Sequence, residues 1–306
     1  MLGILPAMSV PFPSEPRRTA GSGRPWLHLG LLLATGCTML GFWVWHAASG
    51  ATEFPSWTHF TRARVLDGLT FTLAALAILG AHEMGHYWAC RRYGIPATLP
   101  YFIPGPAFGT FGAVIRIRGV VPHRRALFDV AAAGPLAGFA VALPILLAGV
   151  LRASPVEAAA PLPGEVLWFG HSALTATLAR WLHGSGSLEV GPLYVAAWFG
   201  LLVTSMNLFP VGQLDGGHAA YAISRSLHRR LTWLVIAALV GFVALEWWRQ
   251  RPSVYTLWCV VLLWMRSRHP KLLDETEPLD AGRRWLAAVL IAVFALSFMA
   301  RPLILF

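Results

Sequence analysis

Phe71-Thr-Leu-Ala-Ala-Leu-Ala-Ile-Leu-Gly-Ala-His82-Glu83-Met-Gly-His86-Tyr-Trp-Ala-Cys90 reads as a helix buried in lipid, except at His82, Glu83 and His86. An ionisable residue at bilayer depth costs roughly 2.5–3.5 kcal/mol on insertion scales, so such residues usually mark function. The three form H-E-x-x-H. Positions i and i+4 share a helix face one turn apart, so both imidazoles can reach one ion. The glutamate between them is placed to act on a metal-bound water, and the pattern points to metal-assisted hydrolysis inside a membrane.

Composition agrees. The chain has 306 residues, of which 56% are hydrophobic and 12% charged, and its mean hydropathy is +0.59. A soluble domain carries about 25% charged residues, so a polytopic membrane protein is expected, embedded in a lipid bilayer. The net charge of +10 would suggest a nucleic-acid partner in a soluble protein. Here it is assigned to cytoplasmic loops, and no nucleic-acid binding is expected. Lys271 is the single lysine among the 24 basic residues. This arginine-rich usage suggests a GC-rich genome, and a bacterial inner membrane is the expected location. Cys37, Cys90 and Cys259 fall in apolar segments without metal or redox spacing, which argues against a disulfide framework. Cys90 reads as a small buried residue.

Apolar runs occur near 26–48, 68–90, 126–151, 193–213, 231–248, 253–266 and 285–305. The expected fold is an all-α polytopic membrane protein with six to seven transmembrane helices and a small membrane-associated β-hairpin. Threading seven spans from a cytoplasmic N-terminus puts 17 of the 24 basic residues inside and 7 outside, in keeping with the positive-inside bias. Residues 1–25 read as a flexible cytoplasmic tail, 26–66 as a first span with its external loop, 67–230 as the catalytic core and 231–306 as C-terminal spans. Within the external loop, Leu174, Leu178, Trp181 and Leu182 share a helical face, as an interfacial helix would. The acidic loop of residues 267–284 reads as a solvated turn. Glu53 and Glu246 fall on the external side.

Two histidines leave a tetrahedral ion short, because hydrolytic sites usually have three protein ligands. The best third candidate is Asp215, in Asn207-Leu-Phe-Pro-Val-Gly-Gln-Leu-Asp-Gly-Gly-His218. His86 and His82 lie five and nine residues before Arg91, and Asp215 lies ten before Arg225. At about 1.5 Å per residue the two segments sit at similar depth. Pro210, Gly212, Gly216 and Gly217 predict a broken helix, tolerable at depth only where it is buried or lines a cavity. Helix capping is the competing role for Asp215. His218 would stand behind the ligands or pack, and Asp129 suits a salt bridge with nearby His123, Arg124 or Arg125.

Residues 97–119 break the helical pattern. Pro100, Pro104 and Pro106 argue against helix, and Ile115 and Ile117 alternate with Arg116 and Arg118. A hairpin follows, with strands near 98–103 and 111–118. Its edge, at Phe111, Gly112, Ala113, Val114 and Ile115, could hold an unwound substrate strand by β-augmentation. Gly134 and Gly138 form a G-x-x-x-G pair suited to close packing beside the histidine helix.

Together, His82-Glu-Met-Gly-His86 and Asn207–His218 resemble the site-2 protease family of intramembrane zinc metalloproteases, and Ala133-Gly-Pro-Leu-Ala-Gly138 is similar to the family's small-residue motif. Gly109–Ala113 and Val211–Gly217 look most like the branch containing plastid members and bacterial relatives. The resemblance implies one zinc ion per chain held by His82, His86 and Asp215. It makes Glu83 the catalytic glutamate and Asn207 a residue that steadies the substrate carbonyl. The implied substrate is the transmembrane segment of another protein, cleaved by regulated intramembrane proteolysis. Gly212-Gln213 departs from the proline-rich pair of many relatives. A zinc transporter would use the same ligands without Glu83, but would more often show repeated halves, which this chain does not.

Overall fold

The computed structural model describes residues 25–46, 61–156, 168–251, 253–265, 272–274 and 276–304. The expected N-terminal tail, up to residue 24, and Glu53 lie outside them. The first helix, α1 (Pro25–His46), opens with proline at its first position, where the missing N–H is no loss. The second, α2 (Arg62–Arg92), is 31 residues long, about 46 Å at 1.5 Å per residue. Thr61 caps its start, and Arg91 and Arg92 in its last turn face the negative end of the helix dipole. The third, α3 (Arg124–Leu151), is capped by the His123 ring and carries Pro135 and Pro144 internally. These three helices are long and apolar enough to cross a membrane, as is α7 (Arg225–Trp248) below.

Between α2 and α3 lies the expected hairpin, β1 (Tyr101–Pro104) paired antiparallel with β2 (Thr110–Val114). An isolated bridge between Ala97 and Ile117 extends it. Pro106 and Ala107 of its turn are exposed, but Phe108 and Gly109 are buried. Phe108, in the left-handed region at φ 53°, is buried among Phe42, Trp198 and Phe199 at ring separations of 5.2, 5.7 and 5.1 Å. Thr38 on α1 donates to the Gly109 carbonyl at 2.6 Å, and a side chain at Gly109 would strike the α1 backbone at Met39. One aromatic plug and one hydrogen bond thus fasten the tip to α1.

Past α3, β3 (Ser154–Val156), β4 (Trp168–Phe169), α4 (Ala173–His183) and β5 (Ser187–Glu189) form one end of the molecule. Strand β3 pairs with β5, and β4 pairs with β6 (Leu303–Ile304) near the C-terminus. Helix α4 starts with a Ser172–Thr175 capping box. Leu174, Leu178 and Leu182 pack on the core as the apolar face requires. Trp181 does not share their burial and is 77% exposed. A position three residues past Leu178 but one before Leu182 falls at the rim of that face.

Helix α5 (Pro192–Asn207) is central. Tyr194, Trp198 and Leu201 are fully enclosed against α2 and α3. Small residues permit the approach, since Gly149 lies on the Tyr194 backbone and Gly200 on Ile78. The expected fourth run, 193–213, is not one helix. It stops at Asn207, and residues 208–214 form an irregular break before α6 (Asp215–Ile223). Next come α7, α8 (Tyr255–Met265) and α9 (Ala281–Ser297). At 16, 11 and 17 residues, α5, α8 and α9 fall short of the about 20 residues a spanning helix needs alone.

Charged ties mark the two ends of the bundle. At one, Arg301 grips Glu246 through two bonds of 2.7 and 2.9 Å, with Arg249 3.9 Å away. At the other, Arg283 of α9 bonds Asp129 of α3 at 2.6 and 2.8 Å, and Tyr93 at 3.1 Å. Asp129 therefore pairs across the bundle and not with its sequence neighbours: Arg125, one turn earlier on α3, pairs instead with Glu277 of the acidic loop. The acidic loop is also not a free turn. Asp274 bridges to His123, its N–H donates to the Pro122 carbonyl at 3.0 Å, Glu277 pairs with Arg125 at 3.3 Å, and Asp280 caps α9 and pairs with Arg283.

Candidate active site

The two segments singled out in the sequence meet. His82 and His86 project from α2, and Asp215 from the first turn of α6. One carboxylate oxygen of Asp215 lies 3.2 Å from His82 Nε2 and 3.3 Å from His86 Nε2, and the two Nε2 atoms are 3.2 Å apart. Among the described residues these form the group of His, Cys, Asp and Glu able to hold a metal ion, and Cys90 is buried elsewhere.

The chemistry of this trio asks for a cation. The His86 Nδ1–H donates to the Val130 carbonyl at 2.7 Å, which fixes the proton there and leaves Nε2 as a lone pair. A lone pair and a carboxylate oxygen facing each other are both acceptors. A tetrahedron with metal–ligand bonds of about 2.0–2.1 Å has edges of roughly 3.3–3.4 Å, which the observed spacings match. His82 Nδ1 is buried without a partner among the described residues.

Backbone design places these groups. Helix α3 can pass close behind α2 because Gly134 and Gly138 face the rings: a Cβ at Gly134 would overlap the His86 imidazole, and one at Gly138 would come within 3.1 Å of the His82 Cβ. The break turns Asp215 inward. In it, Gly212 takes a left-handed φ of 56°, and side chains at Gly216 or Gly217 would collide with the carbonyls of Leu208, Val211 and Gly212. Asp215 is not the cap residue of α6, a position held by Leu214.

A cavity of about 590 Å³ opens onto the trio. Glu83 lines it and is 7% exposed, and Ile115 lines the same cavity. Asn207, the last residue of α5, puts its amide nitrogen 3.3 Å from His82 Nε2. Of the five expected hairpin residues, Ala113, Val114 and Ile115 line the cavity. Phe111 and Gly112 do not, and Phe111 is 69% exposed, because β2 reaches the cavity only from its second half. His218 lines it too. Sequence reasoning missed Arg116, Gln213 and Leu272 as lining residues. Gln213, two residues before Asp215 in the break, carried a readable signal. Leu272 carried none, since its place depends on the docking of the acidic loop.

Outside the spans, polar contacts tune three groups. Burial, aided by the Asp129 carboxylate, pushes the Tyr93 hydroxyl upward in pKa. The backbone N–H of Arg283 holds Asp280 below the usual carboxylate range, and the Thr276 N–H and hydroxyl do the same for Asp274.

The family model for Peptidase family M50 matches residues 70–245, which contain the trio, Glu83, Asn207 and the hairpin. Over 220 residues the chain is 38% identical to "Probable zinc metalloprotease EGY2, chloroplastic" of Oryza sativa subsp. indica, covering 69% of this chain and 39% of that protein. It is 37% identical to the Arabidopsis thaliana protein of the same name over 210 residues, 67% of this chain and 36% of that one. To "Probable zinc metalloprotease EGY1, chloroplastic" of Oryza sativa subsp. japonica it is 30% identical over 253 residues, 78% and 41% of the two chains. The chain thus spans about two fifths of the length of these curated relatives. No solved structure matches.

Proposed function

Since the chain belongs to peptidase family M50, the site-2 protease family that includes plastid members, we propose that it is a zinc-dependent endopeptidase that cuts a peptide bond within or near the transmembrane segment of a membrane-protein substrate. The observation that carries this reading is the convergence of His82, His86 and Asp215 within 4.8 Å at the floor of a cavity that Glu83 also lines.

Zinc, when bound by these three residues, supplies a Lewis acid that polarises the scissile carbonyl and acidifies water. The rest falls to the protein. Glu83 is the general base that takes the proton of the attacking water and returns it to the leaving nitrogen. Asn207 donates its amide N–H to the substrate carbonyl oxygen as negative charge builds there. Ala113 to Ile115 hold an unwound substrate segment in extended form along the cavity wall.

In this reading the chain crosses the membrane six to seven times, with the ends of the bundle as its two faces. Tyr93, the N-terminus of α3 and the N-terminus of α9 share one end, while the C-terminal residues of α7 and the segment after α9 share the other. With the arginine bias, the Tyr93 end faces the cytoplasm. The names of the relatives place them in chloroplasts and lend no support to a bacterial inner membrane.

The test is Glu83→Gln in purified protein given a model membrane-spanning substrate. Retained zinc with cleavage lost by at least about 100-fold is expected. Unchanged turnover would refute the assignment.

A further inference from the structure

The break that carries Asp215 toward the histidines leaves backbone carbonyls without helical partners at membrane depth, where each unsatisfied group is expensive. Helix α7 meets two of them. His228 Nε2 donates to the Gly212 carbonyl at 3.3 Å, and Thr232 Oγ1 donates to the Pro210 carbonyl at 3.3 Å. The two side chains are one turn apart on one face of α7. They are only 8% and 3% exposed.

Both carbonyls precede the ligand in the chain, and His228 also touches the segment that follows it. Gly212 is locked in left-handed geometry with its Cα against the Met265 backbone of α8, and the Gly212 carbonyl in turn lies directly under Gly217 of α6. Beyond Asp215, the Tyr221 ring packs edge-on to His228 at 5.7 Å. A shift of the Gly212 carbonyl therefore passes to the first turn of α6 through atoms already in contact, with no side chain between to absorb it.

We propose that His228 and Thr232 are positioning residues for Asp215: by holding the Gly212 and Pro210 carbonyls they set the carboxylate at the depth and angle that His82 and His86 require. The inference rests on the zinc-protease reading. It is distinct from simple packing, because the donor N–H and O–H groups carry it, not the volume of the side chains.

The experiment measures zinc affinity of the full chain in detergent by competition with a chromophoric chelator, alongside thermal unfolding of the metal-free protein. The variants are His228→Leu, His228→Gln, Thr232→Val and, as reference, Asp215→Ala. Residues that orient metal ligands typically change affinity by about 10–100-fold. His228→Leu and Thr232→Val should each weaken zinc binding by about that factor, and His228→Gln, which restores a donor, should return it to within about threefold of the parent. A purely structural role would lower the melting temperature of the metal-free protein and leave the affinity of the folded fraction unchanged, which would overturn the proposal. So would His228→Gln binding as weakly as His228→Leu. Thr232→Val, nearly isosteric, keeps the test open should the leucine variant not fold. If the parent binds no zinc that Asp215→Ala abolishes, the metal-site reading fails first and this inference with it; parent binding with unaffected variants removes this inference alone.

Discussion

Replacing Gly134 by alanine should weaken the protein's hold on its metal while leaving its fold intact. The added Cβ would land within the His86 ring. Ordinary carbon contacts lie at about 3.5–4.0 Å, so the imidazole must retreat by more than roughly 1 Å. It cannot do so and keep both its 2.7 Å bond to the Val130 carbonyl and its 3.3 Å approach to Asp215. Disturbing the partner that orients a ligating histidine costs about 10–100-fold in affinity, or roughly 1.4–2.8 kcal/mol. Overpacking adds a strain of about 1–3 kcal/mol, partly offset by the gain of about 1 kcal/mol when alanine replaces glycine in a helix. Global stability should thus fall by no more than about 2 kcal/mol. Gly138→Ala provides the internal control. Its Cβ would stand 3.1 Å from the His82 Cβ and 3.3 Å from Nδ1, so a few tenths of an ångström of movement suffices and affinity should drop less than tenfold, by about 1 kcal/mol or less. Zinc competition titrations on the two purified variants, with thermal melts, measure both quantities. Equal zinc affinity in the parent and Gly134→Ala, or a greater loss in Gly138→Ala, would refute the claim that these glycines set the ring positions.

Asp215→Asn should abolish stoichiometric zinc, read by elemental analysis of the purified chain, because a neutral amide replaces the anionic ligand. Phe108→Ala should loosen the hairpin, since truncating a buried phenylalanine costs about 3–5 kcal/mol; hydrogen exchange at Phe102 to Val114 should quicken, with the zinc-binding trio still occupied. Acid should release the 272–283 segment. Asp274 and Asp280 are held below the ordinary value of 3.8, so their contribution is present above that pH and is lost as pH falls through their lower folded values. Exchange at Asp274 and Thr276 should rise only below about pH 4, and a rise already at pH 6 would contradict it.

Much of the site was legible in the chain itself. His82 and His86 announce themselves by their spacing within an apolar run, and Asp215 by the Pro210–Gly217 punctuation at matching depth. The hairpin followed from three prolines and a short alternation. What the sequence hid were pairings between distant segments. Asp129 sits beside Arg124 and Arg125, yet its partner is Arg283, 154 residues away. The loop around Asp274 reads as solvated because nothing in its composition reveals the His123 strand edge it docks upon. Phe111 and Ala113 belong to one short strand, and only the tilt of the hairpin, fixed by Phe108 in the core, decides which of them reaches the cavity. Helix ends at Asn207 and Ser297 were overrun because an apolar run does not show where backbone regularity stops.

The two clusters of charge that bracket α9 also act as a ruler. Arg283 in the first turn anchors one end and Arg301, four residues past Ser297, the other, and the 17-residue helix itself measures about 25 Å. A typical hydrocarbon core is about 30 Å thick. Were α9 to cross the bilayer as proposed, lipids along this flank would have to shorten their tails to meet it, a mismatch worth fractions of a kcal/mol per ångström. That local pinch would favour thin membranes as the home of this protein and shorten the path that water travels to Glu83.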